Sequence, residues 1–173
     1  MIDRVVSGGQ TGVDRAALDA AIHAGLDCGG WCPRGRRAED GAIPHRYRLK
    51  ETGSTDYRGR TRRNVTDSNG TLILVLGELS GGTELTRDLA LAERKPLFVI
   101  DLDSPRPSSE VRGWIRDNHI RTLNVAGPRE SQRPGIAVRA ADYLSGLFSE
   151  LKAGAGNSGL RAKRDSKQDP AHE

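Results

Sequence analysis

The sequence predicts a single α/β domain with a mainly parallel sheet flanked by helices. Three observations carry that prediction. Strand-like and helix-like segments alternate along most of the chain. Two of the strand-like runs end in glycine turns that open helices. The run Thr71–Leu76 is continuously apolar, as in a strand buried on both faces. A length of 173 residues suits one domain with a real core.

In chain order, Arg4-Val5-Val6-Ser7 is a short β-branched run that stops at two glycines. Val13 to Ala24 follows as a helix, with Val13, Ala17, Leu18, Ala21 and Ile22 at helical spacing and Gly25 ending it. Cys28 to Cys32 reads as a second short strand, and Pro33 to His45 as a long loop of glycine, arginine and acid. Tyr47 to Glu51 reads as another strand and Asp56 to Asp67 as a polar helix. After Thr71–Leu76 comes the second glycine turn, Ser80-Gly81-Gly82-Thr83, with a helix to about Glu93. Pro96 marks the return into a strand from Leu97 to Asp101. Ser109 to Asn118 reads as a helix and Arg121 to Val125 as a last strand. The closing helix runs from Gly135 to about Leu151, with Ile136, Ala140, Leu144, Leu147 and Leu151 on one face. The folded domain is thus expected over residues 1–151. The segment 152–173 is charged and poor in apolar residues, and is expected to be a disordered tail.

No apolar run approaches the ~18 residues of a membrane span. The start of the chain passes directly into a strand with no leader pattern, so a cytoplasmic location is expected. Cys28 and Cys32 are too few for a disulfide framework and are expected to be reduced thiols. The isoelectric point of 9.4 suggests nucleic acid, but the charge is local. Between Arg34 and Arg63 ten basic residues face four acidic ones, a net +6 that exceeds the +4 of the whole chain. A local basic segment fits a small anionic ligand at least as well as a polynucleotide.

The first glycine turn, Gly8-Gly9-Gln10-Thr11-Gly12, is the sharpest local signal. Glycine lets a ligand approach the backbone, and the free N–H groups and dipole of a helix start favour phosphate or carboxylate. Gln10 and Thr11 add donors at the rim. The spacing is neither of the standard dinucleotide or Walker patterns. The competing reading is a tight turn in which Thr11 caps the helix and Asp14 completes a capping-box-like pair. Gly81-Gly82-Thr83 is a second turn of the same kind at the carboxyl end of a core strand. If the two strands are neighbours, both turns border one crevice, where ligands sit in open parallel sheets.

Between them lies the basic loop Trp31–Gly41, in which Arg37 is placed to clamp a phosphate and Trp31 to stack on a flat ring. The bland alternative is a solvated loop with Trp31 as packing. Asp14, Arg15, Glu39 and Asp40 bring further charge near the turns and loop. Arg60, Arg63, Asn64 and Asp67 recur on one helical face that is usually merely solvated. Cys28 and Cys32 have no further ligands at useful spacing, so no metal site follows. His23, His119 and His172 stand alone, and no Ser/His/Asp or Cys/His arrangement is evident.

The run Ser7–Leu18, then Gly30–Gly41 with Ile43-Pro44, resembles the putative molybdenum carrier family. Arg60-Thr61, Asn64-Val65, Asp67-Ser68 and Ser80–Thr83 continue the resemblance in the same order, over roughly Asp3 to Leu151. The resemblance implies a three-layer Rossmann-like fold, related to the lysine-decarboxylase-like and DprA-type proteins. It implies binding of a phosphorylated heterocycle: molybdenum cofactor first, a nucleotide second, neither covalently held. It also implies a homo-oligomer and a molybdoenzyme as recipient. Carried over by position, Gly8, Gly9, Gly81, Gly82 and Thr83 hold the phosphate; the chemistry of the loop itself adds Trp31, Arg37, Glu39 and Asp40 as the lining of the remainder.

Relatives in that superfamily are nucleoside-monophosphate phosphoribohydrolases with a P-G-G-x-G-T-x-x-E signature. Here Thr86 stands at the acid position, and Glu84, the one weak catalytic candidate, follows Thr83 directly. A helix turns that position away from the motif face. A nucleic-acid-binding module is the third possibility, and it lacks interleaved aromatics for base stacking.

Overall fold

The computed structural model describes residues 2–162. Five parallel strands form the main sheet: β1 (Arg4–Val6), β2 (Asp27–Gly29), β7 (Gly70–Val75), β8 (Leu97–Asp101) and β9 (Thr122–Ala126). Their order is β2-β1-β9-β7-β8, and every pair is parallel. Five helices flank them: α1 (Val13–His23), α2 (Tyr57–Thr66), α3 (Gly81–Ala92), α4 (Ser108–Asp117) and α5 (Ile136–Ala162). This is the expected three-layer Rossmann-like fold.

The interior strand β7 is buried at all six positions, as its unbroken apolar run requires. One face of the sheet packs on α1, α4 and α5 through Ala17, Ala21, Val111, Ile115, Leu144 and Phe148. The small side chains of α1 let it lie close against α5 and the sheet. The other face carries α2 and α3, joined by Val65, Leu89 and Ala90. Every residue of the predicted stripe Ile136, Ala140, Leu144, Leu147, Leu151 is buried. Ile22, predicted on the buried face of α1, is 43% exposed in the last turn of that helix.

Several local expectations change. The two glycine-turn strands, β1 and β7, are not neighbours: β9 lies between them. Cys28–Cys32 is not one strand. Gly30, at φ +130°, turns the chain out of the main sheet, so that β3 (Trp31–Cys32) pairs instead with β6 (Lys50–Glu51). A Cβ at Gly30 would strike the backbone of Ser7 and lie 2.9 Å from Asn64 Oδ1. The long loop contains a hairpin, β4 (Arg37–Ala38) with β5 (Gly41–Ala42). The strand expected over Tyr47–Glu51 is confined to Lys50–Glu51, because Tyr47 and Leu49 turn inward onto Leu18, Cys32 and Ile43.

Helix α5 continues past the expected end at Leu151 to Ala162. The remainder of the expected tail, residues 163–173, lies outside the described residues. Among the described residues no helix is long and apolar enough to cross a membrane.

Candidate functional site

The carboxyl ends of β1, β9 and β7 lie side by side, and each feeds a helix start: α1, α5 and α3 respectively. Chain connections leave in opposite directions on either side of β9, which makes this edge the switch point where a crevice opens. A cleft of about 170 Å³ lies there, lined by Gln10 and Asp14, by Arg60 and Tyr57 of α2, by Gly82, Thr83 and Thr86 of α3, and by Arg129 and Gln132 after β9. Both glycine turns therefore border one crevice, although their strands are separated.

The three helix starts differ in what already occupies them. At α5, the Glu130 carboxylate accepts from the amides of Gly135 (2.5 Å) and Ala137 (3.0 Å), so an internal anion fills that position. At α1 the N-cap is Gly12, without a side-chain cap, so Thr11 does not cap this helix. Its hydroxyl instead donates to Glu39 and accepts from the Glu130 amide. The helix start is also wedged: the Val13 amide donates to the Pro128 carbonyl at 3.3 Å. At α3 no side chain caps the first turn, and the exposed Gly81 and Gly82 amides have no acceptor among the described residues. A phosphate-bearing ligand has donors free at this last helix start.

The first-turn glycines make room for protein. A Cβ on Gly8 would fall on the Arg60 guanidinium and 2.8 Å from Asp14 Oδ2. One on Gly9 would strike Leu49. Gly12, at φ +76°, packs on Pro128, with the Arg129 carbonyl carbon and Glu130 amide each 2.9 Å from the absent Cβ. Gly12→Ala is accordingly expected to cost about 2–3 kcal/mol of stability, from strain plus overpacking. Urea denaturation measures this; an unchanged midpoint would show that the β9 loop gives way freely.

Asp14 and Arg60 form a buried pair at 3.0 Å, with side chains 4% and 16% exposed. Burial pushes the Asp14 carboxyl up from its ordinary range, against the pull of Arg60 and of the Gln10 amide. Arg60 also retains a buried Nε with no partner.

Residues 5–148 match the circularly permutated YpsA SLOG family. The chain belongs to that family. Its sequence is also 45% identical to a putative molybdenum carrier protein of Syntrophus aciditrophicus SB, whose crystal structure superposes with a TM-score of 0.80. The match covers 85% of this chain and 94% of the other. No protein of curated function matches.

Several residues singled out from the sequence lie elsewhere in this SLOG-family chain. Trp31 does not line the cleft. Asn64 grips its backbone through two hydrogen bonds of 2.8 and 3.0 Å, and the ring is held by Asp67 at Nε1 (2.7 Å) and by the Arg63 guanidinium over its face. The helical face of Asn64, Arg63 and Asp67 therefore clasps Trp31 and is not simply solvated. Tyr57 supplies the aromatic wall instead. Arg37 is exposed on the hairpin and lines no part of the cleft, while its neighbour Arg36 is buried and donates to four backbone carbonyls. Glu84 faces Arg87 at 3.1 Å and is absent from the cleft wall.

The remaining two acids fasten the hairpin to the rim. Asp40 grips Arg15 with both oxygens, and that contact holds its carboxyl below the ordinary range. Glu39 accepts from Thr11 and Ser131; burial pushes its carboxyl up, but these hydroxyls bring it below the usual range. Gln10 completes the fastening by accepting from the Glu39 amide at 2.9 Å. The loop Gly127–Arg133 is the part of the site that sequence reasoning missed. Its signal was a third glycine, Gly127, directly after a strand and ahead of a helix.

Proposed function

We propose that this chain is a binding protein that seats the phosphate end of a small phosphorylated heterocycle at the start of α3. The observation that carries the reading is that Arg60, Arg129 and Gly82, at the uncapped start of α3, line one cleft. Molybdenum cofactor is the first choice of cargo, consistent with the description of the Syntrophus relative, and a nucleotide is the second. At about 170 Å³ the cleft is smaller than the roughly 300–1,000 Å³ of pockets that enclose a whole ligand. It therefore takes the phosphate end, and the ring rests outside, near Tyr57. Transfer of such a cargo to a molybdoenzyme follows from the same reading.

A glycosidic hydrolase reading is weaker because the cleft presents Thr83 and Thr86 where that chemistry needs a free glutamate. Glu84→Gln is expected to leave binding unchanged.

Gly82→Asp provides the test. Nothing lies within 4 Å of a Cβ at Gly82, so the fold accepts the substitution. The new carboxylate occupies the helix start, adding about 0.3–1 kcal/mol to stability. Mass spectrometry of ligand copurifying with the wild type, and calorimetry of its rebinding, are expected to show at least a tenfold loss in this variant, about 1.4 kcal/mol. Unchanged affinity in a folded Gly82→Asp protein would overturn the assignment of the α3 start.

A further inference from the structure

Asp14 places a carboxylate in a cleft whose other charged groups attract anions. Among the described residues it is the sole acidic side chain lining that cleft. It reaches this position because it lies in the first turn of α1, with the chain before it folded back so that the Gln10 amide donates to it at 3.3 Å. Arg60 of α2 holds it from the other side at 3.0 Å. Tyr57 of α2 and Arg129 after β9 complete the ionisable groups on the cleft wall, and no histidine is among them.

An ionised carboxylate only accepts hydrogen bonds. Any tetrahedral anion that fills the cleft meets Asp14, and two acceptors in contact repel unless a proton lies between them. Sulfate and molybdate are fully ionised at neutral pH and bring no proton. Hydrogen phosphate brings one, whereas a phosphomonoester, whose second ionisation lies near pH 6, brings one only as its monoanion.

We propose that the cleft selects anions that carry their own acidic proton, hydrogen phosphate and the monoanions of phosphomonoesters, over bare oxyanions such as sulfate and molybdate. Asp14 accepts the proton. This rests on the reading of the cleft as a phosphate seat, and it implies that molybdenum does not enter the cleft as molybdate and that a phosphomonoester cargo is seated as its monoanion. The raised affinity of buried Asp14 for protons gives the selection a pH dependence. When the solution is acidic enough to protonate Asp14, the carboxyl itself donates and sulfate is admitted. As the pH rises, that proton leaves and sulfate is expelled, while hydrogen phosphate still supplies its own.

The experiment is calorimetric titration of the full chain with inorganic phosphate and with sulfate at about pH 5 and about pH 8, and with molybdate at the higher pH. At about pH 8 phosphate is expected to bind at least about tenfold more tightly than sulfate or molybdate, with a smaller gap between phosphate and sulfate at about pH 5. Asp14→Asn, whose amide donates to a bare oxyanion, is expected to close the gap at the higher pH. Equal binding of the three anions to the wild type at about pH 8 would overturn the selection while leaving the phosphate seat intact. So would a gap unchanged in folded Asp14→Asn; if that variant unfolds, the wild-type pH series decides alone. Failure of all three anions to bind, or phosphate binding that survives Gly82→Asp, would overturn the seat itself.

Discussion

Replacing Arg60 with methionine is expected to destabilise the fold by about 3–5 kcal/mol, because it leaves Asp14 buried without its counter-charge. Methionine fills the space beside Gly8 but offers no donor, so loss of volume is not the main cost. The pH dependence identifies the cause. Asp14 already has its folded-state pKa raised by burial, and without Arg60 it rises further. An acid raised in this way binds more protons folded than unfolded, so its contribution is intact below the ordinary value of 3.8 and is lost as pH climbs through the raised value. The deficit of Arg60→Met therefore grows from about pH 4 upward. Adding Asp14→Asn is expected to recover most of it. Urea denaturation across a pH series measures both effects; a deficit independent of pH would remove the pair from the explanation. Because Arg60 also lines the cleft, phosphate affinity is expected to fall by about tenfold or more, through loss of a charge-assisted contact.

Arg36→Met is the second large effect. Arg36 is 9% exposed, and its guanidinium donates to the carbonyls of Ile43 (3.0 Å), Pro44 (3.0 Å), Tyr47 (2.9 Å) and Leu49 (3.3 Å). These carbonyls belong to a stretch with almost no regular structure, whose own backbone bonds are few. The arginine therefore does for this excursion what a strand ladder does elsewhere. Removing it takes a donor from all four carbonyls, of which Pro44 and Tyr47 keep the amides of Tyr47 (3.2 Å) and Leu49 (2.8 Å), and a loss on the order of 3–4 kcal/mol is expected, with the small core of Tyr47, Leu49 and Ile43 loosening first. Lysine is expected to recover less than half, since a single ammonium cannot span four carbonyls in a fork. Thermal unfolding together with proteolysis of the hairpin measures this. Full rescue by lysine would show that the charge alone matters.

These two arginines show how far the sequence could be read. Arg36 and Arg37 are adjacent in the same basic loop, yet one is buried and the other exposed. Which of two neighbouring side chains faces inward depends on the register of the chain at that point, and residue type does not report it. The anion-binding potential was placed in the glycine turns, and both turns do border the cleft. Their amides are chemically alike in sequence, but neighbours approaching from far along the chain distinguish them. Pro128 wedges the start of α1 and Glu130 occupies that of α5, which leaves the start of α3. Gly30 turns Trp31 onto Asn64 and Asp67 and out of the cleft wall, and Tyr57 takes that place from a helix of little apolar character.

The sequence by itself determined the five helices apart from the far end of α5, the strands β1, β7, β8 and β9, the buried stripe of α5 and the carboxyl-edge position of the glycine turns. Periodicity and turn chemistry are local properties, written within a few residues of where they act. Only the tertiary structure decided that β9 separates β1 from β7, that its following loop supplies Arg129, and that Asp14 and Arg60 meet beneath Gly8. Those facts depend on contacts between residues tens of positions apart, where the packing of whole layers chooses among arrangements that the same local pattern permits.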